Sequence, residues 1–173
     1  MIKEMIKLSN ANCTKILLVK DNESLIKKSI KSLKNIDLLI TTGGVSVGKK
    51  DLIKKSLEAI GFKKTFWKIL VKPGKPLLFG FLKKVPVFGL PGNPVSSYIC
   101  FLLFVIKALE KLQNNNIPLL ISQEAILLSS LSNKGDRESY IRGKYLYRKN
   151  KIYVKALKDQ DSSMLKNLSL SNC

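Results

Sequence analysis

Eleven residues from Thr41 to Asp51, "TTGGVSVGKKD", bring glycines, a hydroxyl, two ammonium groups and a carboxylate together. The spacing nearly fits three chemistries. Gly43-x4-Gly48-Lys49 has the outline of a phosphate-binding P-loop, but the next position must carry a hydroxyl to ligate magnesium. Here it is Lys50, a cation, so that reading fails. Gly44-x-Ser46-x-Gly48 has the spacing of a nucleophile elbow, whose serine ordinarily needs a histidine base. The chain has no histidine, which excludes a complete Ser-His-Asp triad within it; the rarer lysine-based variants stay open. The third reading is a glycine-rich anion loop. Gly43, Gly44 and Gly48 accept positive φ and expose N–H groups at a strand end, ahead of a helix whose dipole favours an anion. Asp51 would stand in the first turn, either complementing the dipole or holding a cation such as Mg²⁺ beside a phosphate.

Two further segments point to the same kind of ligand. "KPGK", Lys72 to Lys75, places Pro73 and Gly74 at the centre of an expected type II turn. Such a turn brings the outer Cα atoms within about 7 Å. Ammonium groups ~6 Å apart repel by roughly 3 kcal/mol at an effective dielectric of about 20. In an ordinary surface turn they splay apart; an anion bridging them would explain a rigid turn that keeps them together. "GLPGNP", Gly89 to Pro94, follows an apolar run and offers Asn93 as N-cap and Pro94 as first helical residue. Pro91 and Gly92 shape that turn. Three bends and a lysine pair then converge on one electropositive hollow with Asp51 at its lip.

The elements that must position these bends alternate. Strands are expected at Thr14–Lys20 and Ile36–Thr42, and helices at Glu23–Lys34 and Leu52–Gly61. Two apolar runs, "PLLFGFL" and "VPVFGLP", come next, and a long helix starts near Pro94. The order predicts an α/β fold with a mostly parallel sheet flanked by helices over residues 1–112. "QNNNIP" at Gln113–Pro118 reads as a linker. Residues 113–173 then read as a small β domain with a hairpin turn at Lys149–Asn150.

Composition bounds the function. Net charge is +19, yet only three residues are arginine and no nucleic-acid reader motif is present, so specific nucleic-acid binding is not expected. "YICFLLFVIKAL" is too short for a membrane span and reads as a core helix. Cys13, Cys100 and Cys173 are odd in number and far apart, which suggests reduced thiols in a cytoplasmic setting.

"TTGGVSVGKKD", "FWKILVKPGKP" and "VFGLPGNPVSS" resemble, in order and spacing, the motifs of the molybdopterin molybdenumtransferases, the family that includes the C-terminal domain of gephyrin. "GDRESYIRGKY" and "DQDSSMLKNLSLSNC" resemble that family's C-terminal β domain. The resemblance implies a transferase of molybdenum cofactor biosynthesis: molybdate enters adenylylated molybdopterin and AMP is released, with Mg²⁺ assisting. By matching position, Asp51, Lys68 and Lys72 would be catalytic. Gly43, Gly44, Ser46, Gly48, Lys75, Pro91, Gly92, Asn93 and Pro94 would bind substrate. Asp51 and Asp21 would hold metal, although Lys20 stands where the family has a second acidic residue beside Asp21. The family also implies a homodimer and a chain truncated at both ends. A sheet lacking a strand leaves an unpaired edge and exposed apolar surface, so weak stability or need of a partner is expected. The alternative is a non-catalytic fragment that keeps only the pterin- and nucleotide-binding fold or a scaffolding surface.

Overall fold

A computed structural model describes residues 1–44, 52–133, 135–161 and 165–173. Helices α1 (Ile2–Leu8) and α2 (Glu23–Lys31) precede strand β1 (Leu39–Thr42). Helix α3 (Leu52–Glu58) leads into β2 (Phe62–Trp67), β3 (Val71–Lys72), β4 (Leu78–Leu82) and β5 (Val85–Leu90). Helix α4 (Pro94–Cys100) runs through a π-helical turn (Phe101–Val105) into α5 (Ile106–Leu112).

The main sheet has the order β1-β5-β4-β2. Its α/β class is as expected, but the sheet is mixed and not mostly parallel. β1 runs parallel to β5, whereas β4 is antiparallel to both β5 and β2. The physical reason lies in "LKKV": two residues, Lys83 and Lys84, join β4 to β5, and Lys83 takes φ 57°. A connection that short closes only a hairpin.

Side chains alternate across this sheet. Val87 and Leu78 face α2 and α3, packing with Ile26, Ile30, Leu57 and Phe62. Phe88 and Leu90 face the other way, onto Met5, Phe101, Val105, Ile106 and Leu109. The period of two along β5 therefore feeds two apolar layers, one on each face. α2 starts where Asn22 Oδ1 accepts the Leu25 N–H at 3.0 Å, and Ile26 and Ile30, one turn apart, supply its buried stripe.

Thr14–Lys20 is not a strand. Its backbone is extended coil, with Ile16 60% and Leu18 100% exposed. Apolar content alone cannot make a strand; a ladder partner is required, and β1 ends the sheet with no described strand on its outer side. The apolar surface expected at an unpaired edge is thus present.

The C-terminal part forms a three-stranded sheet, β6 (Ile126–Leu127), β9 (Lys151–Ala156) and β8 (Gly143–Arg148), followed by α6 (Leu165–Leu170). Lys149 and Asn150 turn the β8–β9 hairpin with φ 49° and 59°, the positive pair a two-residue turn demands. Among the described residues none of its apolar side chains is fully buried, and Tyr145, Leu146 and Tyr147 are exposed. Such a small sheet gains its order from what it docks on. Ahead of it in the chain, β7 (Glu138–Ser139) pairs in parallel with β3, Lys72 opposite Ser139.

Candidate functional site

The Gly43 and Gly92 bends approach each other ahead of α4, and the lysine turn packs against Cys100, the last residue of that helix. At the end of β1, Gly43 and Gly44 take φ 79° and 65°. The Gly43 N–H reaches the Leu90 carbonyl at 3.3 Å, tying this loop to the end of β5. A Cβ on Gly92 would lie 3.4 Å from the Gly43 Cα, so the two glycine loops are in van der Waals contact. Gly44 is pressed against α3: a Cβ there would fall 2.5 Å from Ile53 Cγ1.

The lysine turn is pinned from two sides. Ile69 N–H donates to the Lys75 carbonyl at 2.9 Å and Lys68 N–H to the Leu77 carbonyl at 3.0 Å, which folds Lys68 back onto the turn. Gly74, at φ 133°, presents its carbonyl to the Cys100 thiol at 3.6 Å. A Cβ on Gly74 would come 2.6 Å from Cys100 Sγ, so only glycine fits. The Lys72–Pro73 bond is cis. Lys68, Lys72 and Lys75 are exposed while Pro73 and Gly74 are buried, and the Lys68 ammonium lies 4.3 Å from the Trp67 ring centroid. Burial pushes the Cys100 thiol up to about 12, so it packs as a small apolar group and not as a nucleophile.

On the third bend, Pro91 is buried, Gly92 and Pro94 are exposed, and Asn93 is half-buried. Asn93 Oδ1 accepts the Ser96 N–H at 3.1 Å, and Ser97 donates its hydroxyl to the Pro91 carbonyl. Asn93 therefore caps its helix as its type predicts and already occupies one N–H of that mouth. The Thr41 hydroxyl, on the last turns of β1 toward the loop, is buried with no hydrogen-bond partner among the described residues.

Ser46, Gly48 and Asp51 lie outside the described residues. Asp21 is exposed, just ahead of the α2 cap. Among the described residues no three His, Cys, Asp or Glu side chains cluster to hold a metal. A hollow of about 420 Å³ lined by Ser24, Lys27, Lys28, Lys31, Ala59 and Ile60 shares no residue with the bends.

The sequence reading passed over Arg142. It is 2% exposed, and its Nη2 donates to the Asp161 carbonyl at 3.2 Å. Nε and Nη1 are buried without partners among the described residues. Its backbone is fixed on both sides by Gln160, whose Oε1 takes the Arg142 N–H at 2.9 Å and whose Nε2 donates to the Arg142 carbonyl at 2.8 Å. Burial lowers the guanidinium pKa, and the Coulombic pull of Asp159 and Asp161 opposes that shift. A buried guanidinium is a planar fork of donors, a shape that suits carboxylate or phosphate oxygens. The strand pairing sets it near the lysine turn: Tyr140 N–H donates to the Lys72 carbonyl at 2.8 Å, two residues before Arg142. Its rarity was the available signal, since it is one of three arginines among many lysines.

A mixed sheet covered on both faces by apolar layers, with two glycine bends at the ends of β1 and β5, defines an α/β protein. The chain belongs to the molybdopterin-binding domain family. Residues 1–111 match the family described as "Probable molybdopterin binding domain", and residues 124–173 match "MoeA C-terminal region (domain IV)". The chain is 38% identical over 161 residues to the molybdopterin molybdenumtransferase of Haemophilus influenzae, covering 90% of this chain and 39% of that enzyme. It is 39% identical over 131 residues to gephyrin of Dictyostelium discoideum, covering 63% of this chain and 18% of that protein. A molybdenum cofactor biosynthesis protein from Pyrococcus furiosus superposes with a TM-score of 0.69 at 25% identity, over 99% of this chain and 54% of that one. The chain thus spans well under half the length of these curated relatives. Among the described residues no helix is long and apolar enough to cross a membrane.

Proposed function

We propose that this chain binds adenylylated molybdopterin at the junction of the Gly43 loop, the Lys72–Lys75 turn and the Gly92 loop, and serves the insertion of molybdate into the dithiolene with release of AMP. The observation that carries the reading is the contact of Gly43 with Gly92 beside a lysine turn that Cys100 and Ser139 hold in place. Lys68, Lys72 and Lys75 would neutralise phosphate and molybdate oxygens, and the Gly44 amide would face the pterin phosphate, with Gly43 shaping the bend. Arg142, brought in by the β3–β7 pairing, would supply a fork of donors to the oxyanion. Residues 1–112 would provide the pocket and residues 113–173 would close it. Asp51 would then stand at the lip as the acidic group of AMP release.

Among the described residues no three His, Cys, Asp or Glu side chains make a magnesium cage, and Asp21 is exposed. Magnesium commonly binds through one or two carboxylates plus substrate phosphates, and Asp51 with the adenylate would be such a pair. A homodimer and a cytoplasmic setting follow from the same reading. In a second reading the chain binds the pterin nucleotide without turning it over.

The test is calorimetric titration of the chain with adenylylated molybdopterin, followed by AMP release on adding molybdate and magnesium. Wild type should bind, and Lys72→Ala and Asp51→Ala should weaken binding or AMP release by about tenfold or more, in line with the loss of one charge-assisted contact. Binding that is indifferent to both substitutions refutes the site. Binding with no AMP release, even with the relative's missing parts added in trans, selects the second reading.

A further inference from the structure

Four apolar side chains in a row, Ile16, Leu17, Leu18 and Val19, stand exposed to water, Leu18 completely. They cannot retreat, because both ends of their segment are fastened. Ala11 packs against the larger apolar cluster, and Asn22 Oδ1 accepts the Leu25 N–H to start α2. Thr14–Lys20 runs without helix, turn or bend. Among the described residues none of its N–H groups donates a hydrogen bond. An apolar segment with a row of unpaired donors is one side of a β-ladder.

The other side lies on β1. The Gly43 N–H reaches the Leu90 carbonyl on the β5 side, so alternation turns Leu39 and Thr41 toward β5. The N–H and C=O groups of Ile40 and Thr42 are left on the outer side, where no described strand takes them. Both sheet faces are covered here. Leu39 packs against the cluster of Ile26 and Ile30, and Leu38 and Ile40 pack against the cluster of Met5 and Phe101. Thr14–Lys20, α2 and β1 follow one another in the order of a parallel crossover. The two segments start close together. Thr14 and Lys15 share a hollow of about 270 Å³ with Leu33, Lys34 and Ile36, on the approach to β1, and Ala11 and Leu38 pack against one cluster.

We propose that the space between Thr14–Lys20 and the outer flank of β1 is a docking slot for one strand of a different polypeptide, apolar along its length and acidic at its ends. The strand runs parallel to β1, pairs with Ile40 and Thr42 on one side, and takes N–H groups of Thr14–Lys20 on the other. Its apolar character follows from the two covered faces, since a strand buried on both is a continuous apolar run. Its acidic ends follow from Lys15 and Lys20, which bracket the exposed run, and from Lys34 at the hollow. The same lysines disfavour a second copy, whose own run Ile16–Val19 would set like charges against like. Nothing in this slot depends on a ligand at the Gly43 and Gly92 loops.

The experiment uses the full chain and a synthetic peptide of six valine and isoleucine residues between paired aspartates. Amide hydrogen exchange is the readout. In the free chain Ile40 and Thr42 should exchange well ahead of Thr41, whose N–H faces β5, and saturating peptide should close that gap. Leu18→Asp should weaken peptide binding about tenfold or more and leave the free chain's melting temperature unchanged, because Leu18 is fully exposed there. A peptide with lysines in place of the aspartates should bind about tenfold more weakly or worse, and Lys15→Glu combined with Lys20→Glu should reverse that preference. Ile40 and Thr42 amides as slow as Thr41 in the free monomer overturn the proposal, since the chain then closes its own flank. The same protection found only in a dimer overturns it in favour of a second copy. Peptide binding that leaves both amides fast, or that ignores Leu18→Asp and the charge exchange, overturns it as well.

Discussion

Gly74→Ala is the sharpest test of how the lysine turn is held. Two independent effects oppose the methyl group. The backbone sits at φ 133°, where an L side chain costs roughly 1–3 kcal/mol. The new Cβ would also meet Cys100 Sγ at 2.6 Å, and overpacking of this kind costs about 1–3 kcal/mol. Together the loss should be about 2–6 kcal/mol, a large part of a small domain's stability. Cys100 is fully buried and belongs to the larger apolar cluster, so the turn cannot move away without disturbing α4. The assay is urea unfolding of four proteins: wild type, Gly74→Ala, Cys100→Ala and the double variant. Cys100→Ala removes the clashing sulfur but not the backbone strain. The double variant should therefore be more stable than the sum of the single losses by about 1–2 kcal/mol. Affinity for adenylylated molybdopterin should fall in Gly74→Ala and partly return in the double variant. A loss under about 0.5 kcal/mol, or strict additivity across the cycle, refutes the claim that Cys100 packs the turn into place.

Other outcomes follow from single contacts. Arg142→Lys should fail to preserve ligand affinity, falling about tenfold or more, because one ammonium cannot replace a planar fork with two open donors; calorimetry reads this directly. Asn93→Ala removes the acceptor for Ser96 N–H and should destabilise the protein by about 1 kcal/mol in urea midpoints, with an equal m-value. The Glu110 carboxyl is held below its usual pKa first by the Leu119 N–H, at 2.6 Å, and then by its hydrogen bond with Lys107. A depressed folded pKa means stability present above the unfolded value and lost as pH falls through the folded one. Urea midpoints between about pH 7 and about pH 3 should thus fall less steeply in Glu110→Gln than in wild type.

Most of the elements were legible because local chemistry decided them. Asn93 announces its cap, the helical spacing of Ile26 and Ile30 announces a buried face, and Lys149–Asn150 announces a hairpin. Thr14–Lys20 misled for a tertiary reason: its apolar pattern is strand-like, but the partner that would pair with it is not in the described sheet. The antiparallel β4–β5 pair was missed because Lys83-Lys84 lacks the glycine or asparagine that usually marks a two-residue turn. In the site, glycines and the lysine turn stood out by type and spacing. Gly74's need for its exact size, set by a sulfur twenty-six positions away, had no local trace. Arg142 was hidden for the same reason, since its burial depends on Gln160 and Asp161 folding over it.

Among the described residues the outer flank of β1 has no ladder partner, and such a flank offers a template on which a second extended chain could grow. The surplus of nineteen positive charges opposes uncontrolled growth of that kind, and its repulsion reaches only about 10 Å in 0.1 M salt and about 3 Å in 1 M. Raising the ionic strength should therefore turn clear solutions turbid, and light scattering that stays flat across that range would show that the flank is shielded by something other than charge.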